Sequence, residues 1–78
     1  MVYKIGLKSF TDIIYNGEEW QLNNDYWTTV EANGESEAKR LATHNLCIRI
    51  AKTEWFTNRN VRCYKNIYIH PSDMVVGE

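Results

Sequence analysis

Apolar and polar residues alternate from Val2 to Lys8, with Tyr3, Ile5 and Leu7 on one side and Lys4, Gly6 and Lys8 on the other. That period of two predicts a strand with one buried face. Apolar residues return at Ile13, Ile14 and Tyr15, and Asn16-Gly17 follows. Asn-Gly between apolar runs is a strong hairpin signal, because both residues accept the left-handed backbone of a tight primed turn. The chain is therefore expected to reverse through Glu18–Leu22, turn again at Asn23-Asn24-Asp25, and run extended from Tyr26 to Ala32, a segment rich in aromatic and β-branched residues.

The period then changes. In ESEAKRLATHNLC, Glu35 to Cys47, the positions Ala38, Leu41, Ala42 and Asn45 or Leu46 recur at helical spacing and give one narrow apolar stripe. Asn33-Gly34 closes the preceding strand. Ser36 is the expected N-cap, Glu37 sits where the helix dipole favours an acid, and Asn45 is the expected end. Lys39, Arg40, Thr43 and His44 point away from the stripe. A helix of about three turns is marginal alone and is expected to dock on a sheet.

Beyond it, CIRIAKTEWFT reads as strand, Thr57-Asn58-Arg59-Asn60 as a turn, and VRCYKNIYI as the returning strand. Ile48, Ile50, Val61, Cys63, Ile67 and Ile69 are its expected core residues, with a bulge or break near Lys65-Asn66. His70-Pro71-Ser72-Asp73 is a further turn, and Met74-Val75-Val76 adds a short edge. The predicted fold is α+β: a single helix packed on an antiparallel sheet of about five strands, in the order β-β-β-α-β-β.

Length and composition narrow the class. A chain of 78 residues is one small domain with a thin core. No apolar run approaches the roughly 20 residues that span a bilayer, and MVYKIGLKSF has no apolar segment of the signal-peptide kind. Two cysteines, Cys47 and Cys63, in a chain without an export signal are expected to be reduced core thiols, in the cytoplasm.

Net charge of −1 is uninformative, but its distribution is not. Between Lys39 and Lys65 seven basic side chains face one acid, Glu54; elsewhere Lys4 and Lys8 face nine acids. A two-signed molecule can offer a basic patch to a polyanion or an acidic surface to a basic channel, unless the fold interleaves the halves and cancels them.

The chemistry of catalysis is not evident. His44 and Cys47 share a helical spacing but lack the third orienting group that a nucleophile pair requires. The four glycines stand apart and make no phosphate-binding loop. Neither metal-ligand spacing nor a cofactor motif is present, so a non-enzymatic protein is expected, with no small-molecule substrate and no membrane. Trp27, Trp55, Tyr64 and Tyr68, interleaved with Arg49, Arg59 and Arg62, could make an open sheet face that binds nucleic acid or anchors a protein interface. An open face covered by large side chains would look the same.

The segment TTVEANGESEAKRLATHNLC, Thr28 to Cys47, resembles the ninth family of type I-F anti-CRISPR proteins, small phage-borne inhibitors with a strand, a short link and a helix holding an Ala-Lys-Arg core. Here that core is Ala38-Lys39-Arg40. The resemblance implies an inhibitor that binds the backbone subunits of the guide-RNA surveillance complex in the host bacterial cytoplasm, where target DNA would hybridise, with Lys39 and Arg40 as contact residues. The longer region before Tyr26 and the chain after Cys47 depart from the family pattern. Two modes of contact follow. Asp12, Glu18, Glu19, Asp25 and Glu31 could mimic DNA, or Lys39 and Arg40 could meet acidic side chains or the guide backbone. The alternatives are a small nucleic-acid-binding regulator using the basic hairpin of Arg49, Arg59 and Arg62, and an accessory interaction protein.

Overall fold

The computed structural model describes residues 1–53, 56–57 and 66–77. The fold is α+β, with one long helix on antiparallel strands. Among the described residues there are six strands: β1 (Val2–Leu7), β2 (Asp12–Tyr15), β3 (Glu18–Gln21), β4 (Tyr26–Glu31), β5 (Ile67–Tyr68) and β6 (Val75–Gly77). Helix α1 (Glu35–Ala51) separates β4 from β5, so four strands precede it and two short ones follow. The strands form two three-stranded sheets, β4-β1-β6 and β3-β2-β5.

Both sheets follow from the alternation. Ile5 and Leu7 of β1 are fully buried, and Ile13 of β2 nearly so. The β2–β3 hairpin turns on Asn16 and Gly17 with φ of 51° and 82°, the two successive positive values of a primed turn. Phe10 takes a third left-handed backbone at the β1–β2 corner (φ 69°), where its N–H donates to the Leu22 carbonyl at 2.7 Å.

The helix is longer than its sequence pattern predicts, and the expected strand from Cys47 is a correction. Ile48 and Ile50 are helical, and Asn45 lies inside the helix instead of ending it. The reason is a buried row at four-residue spacing, Ala38, Ala42, Leu46 and Ile50, joined by Cys47. That row continues the apolar stripe for one more turn, and its burial outweighs the strand preference of isoleucine. The start also differs. Gly34, not Ser36, caps the helix, with extended backbone and no side-chain cap bond, and its carbonyl accepts from the Ala38 N–H at 2.9 Å. Lys52 ends the helix, its N–H donating to the carbonyls of Arg49 and Ile50.

The helix packs on β4, β1, β5 and the 3₁₀ turn Pro71–Asp73. One core unites these parts: Ile5, Leu7, Ile13, Leu22, Val30, the helix row, Phe56, Ile67, Ile69 and Met74. Of the predicted returning strand, only Ile67–Tyr68 is strand among the described residues; Val61, Cys63 and Lys65 lie outside them, as do Arg59 and Arg62. No helix among the described residues is long and apolar enough to cross a membrane.

Candidate functional site

Lys39 and Arg40 stand side by side in sequence, but the helix gives them different surroundings. Lys39 leans toward the core side, and its Nζ meets Glu35 Oε1 at 3.3 Å one turn earlier. Its side chain is 26% exposed against 60% for the glutamate, so the lysine is the more sheltered partner. Arg40 is exposed, and among the described residues its side chain makes no ion pair or hydrogen bond.

Arg40 is also the residue shared by two grooves. On one flank an open groove of about 420 Å³ runs between the helix and the segment Ile67–Met74. Its floor is apolar, with Ile67, Ile69, Pro71 and Met74, and Lys39, Arg40 and Thr43 form its helical wall. Thr43 is fixed there: Oγ1 donates to the Lys39 carbonyl at 2.9 Å and lies 3.7 Å from Met74 Sδ. On the other flank a second groove of about 410 Å³ lies between Thr29–Glu31 of β4 and Arg40, Leu41, His44 and Asn45. Asn45 Nδ2 spans toward β4 and donates to Thr28 Oγ1 at 3.4 Å.

Arg49, expected on a hairpin with Arg59 and Arg62, is instead in the last turn of the helix, where a cation favours the dipole. It lines a notch of about 250 Å³ with Lys4, Trp27, Thr28 and Thr29. The basic hairpin is thus corrected as far as Arg49 is concerned, because the segment that would carry it is helical. Trp27 is the centre of this corner. Its indole lies on β1 over Gly6, where an added Cβ would come within 2.4 Å of the ring, and it also reaches Gly77. Lys4 and Lys8 place their ammonium groups 4.8 and 4.9 Å from the ring centroid, within cation–π range. Sequence reasoning missed this seat for Trp27. Its one signal was a glycine on the polar side of an otherwise regular strand.

The acids do not form one surface. Asp12 and Glu19 of the second sheet share a groove of about 320 Å³ with Tyr68 of β5 and with His70 and Asp73 at the 3₁₀ turn. Asp25 is engaged elsewhere, accepting from the Ser9 N–H at 2.7 Å and pairing with Lys8 at 3.7 Å. Glu31 projects from β4 on the first sheet. Tyr68 is 52% exposed, and Trp55 and Tyr64 lie outside the described residues.

Cys47 is buried, its thiol donating to the Ile67 carbonyl at 3.6 Å. Burial pushes its pKa from 9.0 up to about 11, so it stays protonated near neutrality. Nucleophilic cysteine chemistry needs the thiolate. His44 stands exposed on the helix while Cys47 faces the core, which separates the two members of the candidate pair. Among the described residues no group of three or more His, Cys, Asp or Glu side chains could hold a metal.

No family model, curated protein or solved structure matches the chain.

Proposed function

We propose that the protein acts by binding, as an inhibitor that occupies a surface of a nucleic-acid-handling complex, and that the helix flank at Arg40 is its contact face. The observation that carries this reading is the guanidinium of Arg40, exposed between two grooves and without an ion pair among the described residues, beside a Lys39 that pairs with Glu35. Arginine offers a fork of donors that matches a carboxylate or a phosphate in two parallel bonds, and exposure leaves that fork available. The resemblance of Thr28 to Cys47 names the target class: the backbone subunits of a type I-F CRISPR surveillance complex, blocked against hybridisation with target DNA.

The exposure of Arg40 and the Glu35 contact of Lys39 support unequal roles for the two helix cations. Arg40 is the direct contact. Lys39 contributes less, because contact with a partner would first break its bond to Glu35. The test is co-purification with the surveillance complex, followed by target-DNA binding on the same sample. Arg40→Glu is expected to weaken inhibition by at least about tenfold, the order of one lost charge-assisted pair, and Lys39→Glu by less. No stable complex with the wild-type chain, or full inhibition by the Arg40→Glu variant, overturns the reading.

A second reading has its own observation. Arg49, Lys4 and Lys8 around Trp27 make a basic corner with an aromatic centre, a combination that supports nucleic-acid binding. In that case bare DNA or RNA binds with steep salt dependence, since phosphate contacts release counterions. No binding at low salt removes it.

A further inference from the structure

Among the described residues the first sheet leaves one long edge open. Met1 and Ala32 exchange two backbone bonds, 3.1 Å from the Met1 amine to the Ala32 carbonyl and 2.9 Å in return. In an antiparallel ladder such pairs alternate with pairs that exchange none. The register Tyr3↔Val30, Ile5↔Thr28 and Leu7↔Tyr26 therefore carries the bonds between β1 and β4. It follows that Trp27, Thr29 and Glu31 turn their N–H and C=O groups the other way, to the open side of β4. Among the described residues none of the three has a partner there.

Edges of this kind are usually blunted by shortness, proline, lysine or a bulge. The β3 edge carries Glu18 and Glu19, β5 has two residues and β6 three. The β4 edge has six residues, YWTTVE, with no proline, lysine or bulge.

We propose that this edge pairs with the same edge of a second copy of the chain, about a two-fold axis through Thr29. That axis sets Thr29 against Thr29 and Trp27 against Glu31. The three outward-facing residues of each copy then meet one another in register, and every open N–H and C=O group finds a partner. The side chains agree with the backbone. Thr–Thr is a favourable cross-strand pair. Glu31 of the second copy arrives beside Trp27, at the notch lined by Lys4 and Arg49, where a carboxylate meets two cations. The axis stands perpendicular to the sheet, so the two helices share one face. The product is a continuous six-stranded sheet, β6-β1-β4-β4-β1-β6.

Light scattering or sedimentation of the intact chain, across micromolar to submillimolar concentrations, tests this. Twice the chain mass is expected at the upper end. Thr29→Pro removes one N–H per copy that the monomer does not use, so the fold persists by circular dichroism while the dissociation constant rises by at least about tenfold. Glu31→Arg weakens the dimer through repulsion at the Lys4–Arg49 notch, and adding Arg49→Glu restores it. A single-chain mass at every concentration, a dimer indifferent to Thr29→Pro, or no rescue by the charge swap overturns the proposal. Mass is read without any target, so this outcome is independent of the inhibitor reading.

Discussion

Among the described residues, Phe10 and Asn16 are the two non-glycine residues with left-handed backbone, and Phe10 is the one whose side chain does not favour it. Its backbone is left-handed, a region that costs a non-glycine residue of order 1 kcal/mol, while its ring is 72% exposed and buries little in return. Phe10→Asn is expected to raise stability by about 0.5–1 kcal/mol, since asparagine tolerates this conformation and keeps the N–H bond to Leu22. Chemical denaturation checks it, and a loss of stability would show that the ring holds the corner. Nothing in the sequence marks Phe10 as left-handed. Asn16-Gly17, by contrast, was legible because its two residues prefer the required backbone themselves. Gly6 falls between: its place on the strand was readable, but its reason is an indole from another strand. Residues whose conformation is set by their own chemistry can be read from sequence. Those set by a distant neighbour cannot.

At the scale of elements, the helix teaches the same distinction. Its first three turns were visible in Ala38, Leu41, Ala42 and Leu46, while its fourth was hidden in CIRIA, where isoleucine favours a strand and burial decides otherwise. Ile50, fully buried in that turn, separates the two descriptions. Ile50→Ala removes a core side chain while improving helix propensity, and is expected to cost about 2–4 kcal/mol. Thermal or urea unfolding measures it; a neutral result would place Ile50 outside the core. The candidate site was legible as a pair of cations but not as an unequal pair. The four-residue step from Glu35 to Lys39 makes their ion pair available, whereas the grooves on either side of Arg40 depend on where β4 and the Pro71 turn come to lie.

For the molecule as a whole, one buried thiol links stability to pH. The Cys47 pKa is higher in the folded chain, about 11, than its unperturbed 9.0. The unfolded chain therefore loses this proton first, and stability falls as pH rises from about 9 to about 11. Below 9 the contribution is constant. Denaturation midpoints across this range measure the slope, and Cys47→Ala should flatten it. The charge segregation seen along the sequence is partly kept in three dimensions. Arg40 and Arg49 flank the β4 edge, and Asp12 and Glu19 of the other sheet line one groove with Asp73 of the 3₁₀ turn. Lys8 and Asp25 cancel locally, a pairing that needs the β1–β4 register to be known.

The position of β1 between β4 and β6 has a consequence for how the protein is made. A ribosome delivers β4 soon after β1, but Lys4 and Gly6 meet their other neighbours, Gly77 and Val75, only about seventy positions later. Until then one side of the first sheet stays unzipped, and Trp27 rests on Gly6 without Gly77 beside it. The nascent chain thus carries β1 with one side uncovered while the roughly seventy intervening residues are made, and β6 acts as the latch when it emerges.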